Sequence, residues 1–396
     1  MKISSLEIKN FRNIESGRVE FSDGINLLYG KNGEGKTNTL EAIYYMAMCR
    51  SFRACSDRDL IMHGRDLAEI SLIYESGGTE KALSALIGRE KKALRYEGVE
   101  IAKYSEFIGN FRAVIFSPDN LFLIKGSPDE RRRFIDMALS QIKPRYMRYL
   151  SQYQRLLKQR NTVLKKARLD GKADENLLYV YSEKLADCAA VITKQRAAFV
   201  NELCEYAADF YERITKREDG YFERLYIKYF SCIKENFDDA SKIKSEYLKL
   251  LCENIEREIN AGATLYGPHR DDLVFSVGKE ANEKEYEQTE EENEKITAYN
   301  ARVFASQGQQ RSVVLSLKLA EGRIIENLSG MRPVYLFDDV MSELDAGRKE
   351  RLLYLLRDKQ VIITDCNPGN IDKKFLSGMI PLSGGSFKRP DIREIL

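Results

Sequence analysis

Tryptophan is absent from this 396-residue chain, and histidine occurs only twice. Two histidines are too few to suggest a metal site built on imidazole ligands. The seven cysteines are scattered and never form a C-x-x-C pair, which excludes a zinc ribbon and indicates reduced thiols of a cytoplasmic protein. No apolar run approaches the roughly 20 residues of a membrane span, so no membrane partner is expected. The N-terminus alternates like a strand and lacks the apolar centre of a signal peptide.

The length and charge of the chain set further limits. A chain of 396 residues is too long for a single core, so two or three domains are expected. Hydrophobic residues make up 43% and charged residues 31%, as in globular proteins with a highly charged surface. The net charge is only +2, so any affinity for nucleic acid requires local clusters of positive charge.

A glycine-rich segment stands between an apolar run and a helical pattern near the N-terminus. Residues 30–37, GKNGEGKT, fit the P-loop pattern G-x-x-x-x-G-K-[ST]. The glycines allow backbone N–H groups to cradle a phosphate, and the following helix directs its positive end at the same anion. A chance glycine-rich turn is the alternative, but the strand before and the helix after favour a nucleotide site. The predicted ATP-binding residues here are Gly30, Lys31, Asn32, Gly33, Glu34, Gly35, Lys36 and Thr37.

Two of these residues have chemical roles in such a loop. Lys36 reaches the β- and γ-phosphates and is a predicted catalytic residue, while the Thr37 hydroxyl ligates Mg²⁺. The predicted cofactors are therefore ATP and Mg²⁺.

A second acidic motif lies far along the chain, at residues 333–345 (PVYLFDDVMSELD). Four apolar residues end in Asp338 and Asp339, which is typical of a Walker B strand in a chain that has a P-loop. Asp338 is predicted to hold Mg²⁺, directly or through water, and Asp339 to orient or activate the attacking water. The alternative is a strand that merely ends in solvated aspartates.

A small-polar turn precedes a helical pattern at residues 304–327. A helix N-terminus of this kind can bind an anion by the same logic as the P-loop, although many loops look similar. The residues concerned are Ser306, Gln307, Gly308 and Gln309.

The remaining pattern divides the chain into a strand-rich beginning, a helical middle and a mixed end. Strands are predicted at 2–9 and 17–28, with an antiparallel set at 69–97. Helices are predicted at 37–49, 131–141, 144–169, 175–214 and 243–259, and a further helix follows the turn within residues 302–327.

The helix at 144–169 lies in an interval without any acid, between Asp136 and Asp170. One interpretation is the solvated face of a helical hairpin. The other is a track for the phosphate backbone of DNA, because a run of one sign repels itself unless an anion lies along it. The candidate DNA-binding residues are Arg148, Arg155, Lys158, Arg160, Lys165 and Lys166.

Residues 280–295 are dense in glutamate and almost without apolar residues. The pattern favours an exposed loop or a hairpin tip over a functional acidic segment.

Four segments together resemble one family: KNFRN (9–13) with YGKNGEGKT (29–37), PDNLFLIKGSPDERRRFID (118–136), GPHRDDL (267–273) and LFDDVMSELD (336–345). They are similar to the ABC-type ATPase heads of SMC and double-strand-break-repair proteins, and most similar to the RecF family. The resemblance implies an α/β fold, a P-loop ABC-type ATPase head with a mixed β-sheet and flanking helices, and an inserted, mainly helical arm. Its parts would be head residues 1–125, arm residues 126–262 and head residues 263–396.

The resemblance also implies roles for single residues. Arg12, otherwise an ordinary turn arginine, would contact phosphate in cis together with Asn32. The turn from Ser306 to Gln309 would be the signature that contacts the γ-phosphate of a partner's ATP, and Asp345 would lie in the D-loop between two active sites.

Some family positions are substituted in this chain. The position of the Q-loop glutamine falls at Ser117 or Asp119. Asp339 and Thr364 replace the usual glutamate and histidine, which suggests slow hydrolysis.

The function implied is an ATP-gated DNA clamp of gap repair at stalled forks and of the SOS response. An ATP-dependent homodimer would enclose duplex or junction DNA, slow and DNA-stimulated hydrolysis would release it, and RecO and RecR would be partners that help RecA to load. The alternative is a protein-interaction scaffold, stabilised by ATP, that contacts DNA incidentally. The soluble half of a transporter is disfavoured, since the helical insertion and GPHRDD have no place in one.

Overall fold

The computed structural model describes residues 1–53, 56–216, 223–235, 237–280 and 296–387. The glutamate-rich segment from 281 to 295 and the polar tail from 388 onward lie outside the described residues. The chain divides into two compact units. The first comprises residues 1–121, 209–222 and 306–396, and the second comprises residues 122–208 and 223–305.

One sheet of the first unit is antiparallel and six-stranded, in the order β2-β1-β4-β5-β6-β7. Side chains alternate between buried and exposed along β4, as expected for a sheet with one covered face. Its strands are β1 (Lys2–Phe11), β2 (Ile14–Glu20), β4 (Leu67–Ser76), β5 (Thr79–Gly88), β6 (Lys92–Tyr96) and β7 (Val99–Ile101).

The other six-stranded sheet of this unit has the order β15-β14-β3-β13-β12-β8 and is parallel from β14 to β8. The strands are β3 (Ile25–Tyr29), β8 (Ala113–Phe116), β12 (Val334–Asp338), β13 (Val361–Asp365), β14 (Leu376–Ser383) and β15 (Ser386–Phe387). Every residue of β3, β8, β12 and β13 is buried, which explains their continuous apolar sequences. Because β3, β12 and β13 are parallel, their carboxyl ends meet at one edge of the sheet.

The helices of the first unit are α1 (Lys36–Met48), α2 (Tyr104–Phe107), α10 (Gln307–Ser329) and α11 (Ala346–Leu356). Helix α1 contacts strands of both sheets, including β1, β4, β8 and β12. Residues 39–48 are accordingly all buried, so α1 is covered on every side.

The second unit is mainly helical. Its helices are α3 (Phe122–Lys125), α4 (Pro128–Ile142), α5 (Pro144–Asp170), α6 (Glu175–Thr215), α7 (Ala240–Glu253), α8 (Ile255–Ala261) and α9 (Ala301–Phe304), and the last residues of α6 are assigned to the first unit. Its antiparallel sheet β11-β10-β9 consists of β9 (Arg224–Phe230), β10 (Asp272–Glu280) and β11 (Ile296–Asn300). Among the described residues, no helix is long and apolar enough to cross a membrane.

The GPHRDD segment forms a buried polar centre of the second unit. Arg196 of α6 donates to the carbonyl of Pro268 at 2.6 Å and pairs with Asp271 at 3.3 Å. The ring Nδ1 of His269 lies 2.6 Å from the Tyr153 hydroxyl. Burial lowers the pKa of His269 to about 4, so the ring is neutral at physiological pH. The motif therefore connects α5, α6 and β10.

The predicted elements are largely confirmed, with three differences. The strand predicted at 17–28 is interrupted by a turn in which Gly24 has a φ of 86°, so it forms two strands of different sheets. The helix predicted over 243–259 breaks at Asn254, whose side chain donates to the carbonyl of Leu250 and competes with the backbone ladder. Residues 263–305, which were predicted to belong to the head, group with the second unit because β10 pairs with β9.

Candidate functional site

The P-loop joins the end of β3 to the start of α1, as the sequence predicted. Gly30 has a φ of 156°, and a Cβ atom there would lie 2.4 Å from the carbonyl oxygen of Leu382. Gly35 precedes α1 with a φ of 105°. Only glycine fits these positions without strain, so the loop keeps its inward backbone curvature.

The ammonium group of Lys36 closes across this loop. Its Nζ donates to the carbonyl of Gly30 at 2.6 Å and to that of Lys31 at 2.9 Å, and it lies 3.6 Å from Cys366 Sγ. The thiol of Cys366 lies 2.7 Å from Oδ1 of Asn32. The residue that follows β13 and faces the P-loop is therefore Cys366, whereas Thr364 lies inside the strand.

Thr37 and Asp338 meet at the shared edge of the sheet. The Thr37 hydroxyl donates to Asp338 Oδ1 at 2.7 Å, and the Thr364 hydroxyl donates to the same oxygen at 3.0 Å. Burial raises the pKa of Asp338, although these two hydrogen bonds oppose the rise. A hydroxyl beside a buried carboxylate is a donor set that suits Mg²⁺, so the residues fit the predicted metal.

Asp339 stands at the surface directly after the buried strand. Its φ is 52°, a left-handed conformation that aspartate tolerates better than most residues. Its N–H donates to Thr364 Oγ1 at 3.0 Å, which links the backbone of Asp339 to the ligand set of Asp338. Its exposed carboxylate accepts from the Ser342 hydroxyl at 3.3 Å.

The predicted signature residues form the N-terminus of α10. Ser306 Oγ accepts from the N–H of Gln309 at 3.2 Å, and Gln309 Oε1 accepts from the N–H of Ser306 at 2.8 Å. This capping box fixes the turn, while Ser306 and Gln307 remain exposed at the positive end of a 23-residue helix.

The predicted D-loop residue Asp345 caps the next helix in a similar way. It accepts from the N–H of Arg348 at 2.9 Å. The guanidinium of Arg348 passes so close to Gly308 that a Cβ there would lie 2.9 Å from its Nη1. Arg311 of α10 donates to the carbonyl of Glu343 at 3.0 Å. The predicted signature turn and the predicted D-loop are therefore held together within the first unit.

Arg12 has a partner that the sequence did not suggest. Its Nε and Nη2 donate to the two carboxylate oxygens of Glu41 at 3.0 and 2.8 Å. Arg53 and Ser51 also donate to Glu41, which is fully buried in α1. Sequence reasoning missed Glu41, Arg53 and Cys366, because nothing in the local pattern distinguishes them from ordinary helix and loop residues.

The basic residues of α5 fall into two groups. Arg160 is fully buried and lies 2.6 Å from the buried carboxylate of Glu258, and it also donates to Ser182 and Thr264. The DNA-binding prediction for Arg160 is therefore wrong. A signal was present, since Arg160 lies at a seven-residue spacing on one stripe with the buried Tyr146, Tyr153 and Ala167.

The other five candidates are exposed and form no ion pair with any described residue. Spacings of seven and eleven residues align Arg148, Arg155 and Lys166, and Lys158 and Lys165 lie about 90° around the helix, so the five occupy one broad face along about 27 Å of α5. They are Arg148, Arg155, Lys158, Lys165 and Lys166.

The chain is similar to proteins whose function is known. The family described as the RecF/RecN/SMC N terminal domain matches residues 2–374. The DNA replication and repair protein RecF of Staphylococcus carnosus is 37% identical over 380 residues, which cover 95% of this chain and 96% of that protein. A solved structure of the recombination mediator protein RecF-ATP in the RecFOR pathway has a TM-score of 0.85 and 30% identity, and 98% of each chain is covered. An Smc head domain from Pyrococcus furiosus shares the fold, with a TM-score of 0.53 and 17% identity over 98% of this chain and 95% of that one.

The fold and the site define a P-loop ATPase head of the ABC and SMC type. The P-loop, the Walker B strand and the helix that begins at the signature turn are all contained in its first unit. The chain belongs to the RecF family of DNA replication and repair proteins. The resemblance drawn from four sequence segments is thereby confirmed.

Proposed function

We propose that this chain binds and hydrolyses ATP, forms an ATP-dependent homodimer through its signature turn, and binds DNA on the exposed face of α5. Slow hydrolysis then releases the DNA, in the repair of gaps and stalled replication forks. RecR and RecO are proposed as partners from family resemblance, with RecA loading and SOS induction as consequences.

The P-loop geometry supports ATP as the ligand. Gly30 to Thr37 form the phosphate cradle, and Lys36 already lies across it. Thr37 and Asp338 would hold Mg²⁺, which supplies charge neutralisation of the β- and γ-phosphates when it is bound. Asp339 would orient water, and its short side chain is consistent with slow turnover.

The signature turn supports the dimer. An exposed helix N-terminus offers backbone N–H groups to an anion, and the Ser306 capping box fixes their direction. A second copy that presents its bound ATP would accept from the N–H groups of Gln307 and Gly308, which the capping box does not use. Each ATP held between two chains would then stabilise the closed state, which couples closure to nucleotide binding.

The exposed face of α5 is the observation that carries the DNA proposal. Five cations without described ion-pair partners lie along about 27 Å of helix, or about three quarters of one turn of duplex DNA. Phosphates that neutralise these cations would release counterions, so the affinity would fall steeply with salt.

The salt dependence of DNA affinity tests this assignment. The double variant Arg148→Ala with Arg155→Ala, measured with a labelled gapped duplex and ATP, should lower the log–log salt slope by about 2, since each phosphate contact contributes about 0.9. Lys242→Ala with Lys249→Ala is the matched control, because these exposed lysines of α7 have the same seven-residue spacing. An unchanged slope, or an equal change in the control, would remove the DNA assignment from α5.

Comparing ATP with ADP in the DNA-binding measurement, together with ATP turnover with and without DNA, separates the clamp from the scaffold. A clamp binds DNA more tightly with ATP than with ADP, and DNA increases its ATP turnover. Equal DNA affinity with both nucleotides, together with a turnover that DNA does not change, would support an ATP-stabilised scaffold instead.

A further inference from the structure

Glu41 is a buried carboxylate in the helix that the P-loop begins. It lies one helical turn after Thr37, and its side chain has no exposed surface. Such a group is costly unless charged donors surround it. Four donor groups from three residues do so here: two from Arg12, one from Arg53 and one from Ser51. Burial alone would raise the pKa of Glu41, but these donors outweigh it and the pKa is lowered.

The same cluster extends to the P-loop backbone. Arg53 donates to Oδ1 of Asn38 at 2.5 Å, and Asn38 donates to Oδ1 of Asn13 at 2.6 Å. Asn13 in turn donates to the carbonyl of Gly33 at 2.5 Å. A continuous chain of hydrogen bonds therefore runs from Glu41 through two asparagines to the phosphate cradle.

The two arginines of this cluster are partly exposed. The side chains of Arg12 and Arg53 are 21% and 34% exposed, whereas that of Glu41 is not exposed. Two guanidinium groups and one carboxylate leave the cluster with a single net positive charge. Through Asn38 and Asn13, Arg53 is connected to the carbonyl of Gly33, which places it beside the phosphate cradle.

We propose that Glu41 is a positioning residue of the nucleotide site, which holds Arg12 and Arg53 beside the P-loop so that both face the γ-phosphate of ATP. This inference rests on the proposed function and adds two elements to it. Arg53 becomes a second cationic contact with the terminal phosphate, and Glu41 contributes to ATP binding without touching the nucleotide.

The change Glu41→Gln distinguishes a positioning role of Glu41 from a role in reducing the local positive charge. Glutamine has one acceptor oxygen, and its NH₂ group cannot accept from a guanidinium. Glu41→Gln therefore releases at least one arginine from its place. If Glu41 served only to reduce the positive charge near the P-loop, the same variant would instead bind ATP more tightly.

The test compares equilibrium binding of ATP and ADP to the full chain by calorimetry. Glu41→Gln is expected to weaken ATP about tenfold, the effect of losing one charge-assisted hydrogen bond, and to change ADP less than twofold. The matched control is Glu321→Gln, which changes another buried glutamate of the first unit, paired with Lys318 in α10. This control should lose stability without any change in the ratio of the ADP and ATP dissociation constants.

A second comparison establishes that Glu41 acts through the arginines. In an Arg12→Ala and Arg53→Ala background, Glu41→Gln should cause no further change in ATP affinity. If Glu41→Gln does not fold, Arg53→Gln carries the test, because it leaves the Glu41–Arg12 pair intact and should lower the same ratio.

The failures are distinguishable. ATP binding that is unaffected by Lys36→Ala would overturn the proposed function itself. If ATP binding instead depends on Lys36, and Glu41→Gln binds ATP as tightly as the wild type or more tightly, only the role of Glu41 is overturned.

Discussion

The buried pair of Arg160 and Glu258 gives the sharpest test of the structure of α5. Both side chains have no exposed surface, and Arg160 Nη2 lies 2.6 Å from Glu258 Oε2. We consider the change Arg160→Met, which keeps an unbranched apolar stem and removes the guanidinium charge. The variant leaves a carboxylate buried without its cation, in a unit where Ser182 and Thr264 also lose their guanidinium partner.

The expected loss follows from that isolated charge. Removing one member of a buried ion pair costs about 3–5 kcal/mol, whereas replacing both members with apolar residues is close to neutral. With a urea dependence of about 3 kcal/mol per molar, the midpoint of the second unit should fall by about 1–1.7 M. The double variant Arg160→Met with Glu258→Leu should recover most of that loss.

The assay is urea unfolding followed by far-ultraviolet circular dichroism, with DNA affinity measured on the same variants. Lys158→Met is the matched control, since this exposed lysine lies on the same helix and should change stability by less than about 0.5 kcal/mol. A midpoint for Arg160→Met equal to that of Lys158→Met would refute the burial of Arg160. A reduced salt slope for DNA with full stability would restore its predicted contact with phosphate.

Two further predictions concern the dimer and pH. The mass of the chain by light scattering should double with ATP, and Ser306→Arg should prevent doubling because arginine blocks an exposed helix N-terminus. The control Ser245→Arg on α7 should still double in mass. Doubling of Ser306→Arg, or no doubling of Ser245→Arg, would contradict this prediction. The pKa of His269 falls from 6.5 to about 4 on folding, so the unfolded chain binds the extra proton and stability is lost as pH falls from 6.5 to 4. His269→Gln should remove up to about 3 kcal/mol of that loss, measured by urea unfolding. If the free energy of unfolding changes with pH equally in the variant and the wild type, the prediction is refuted.

Those parts of the site that consist of neighbouring residues could be predicted from the amino-acid sequence. The P-loop works through eight neighbouring residues whose backbone curvature comes from their own glycines, so its pattern was sufficient to predict it. Asp338 and Asp339 were predictable because a buried strand of apolar residues must end at the sheet edge. Ser306 was predictable as a helix cap because its partner Gln309 is three residues away.

Which charged side chains are buried, and which residues they contact, became evident from the tertiary structure. Arg160 has the same residue type as its exposed neighbours, and its environment depends on Glu258, which is 98 residues further along the chain. Glu41 receives Arg12 and Arg53 from separate segments, although none of the three forms a sequence motif with the others. Burial and ion pairing depend on packing between segments that are distant in the sequence. A local sequence pattern reflects only interactions between neighbouring residues, so it does not predict them.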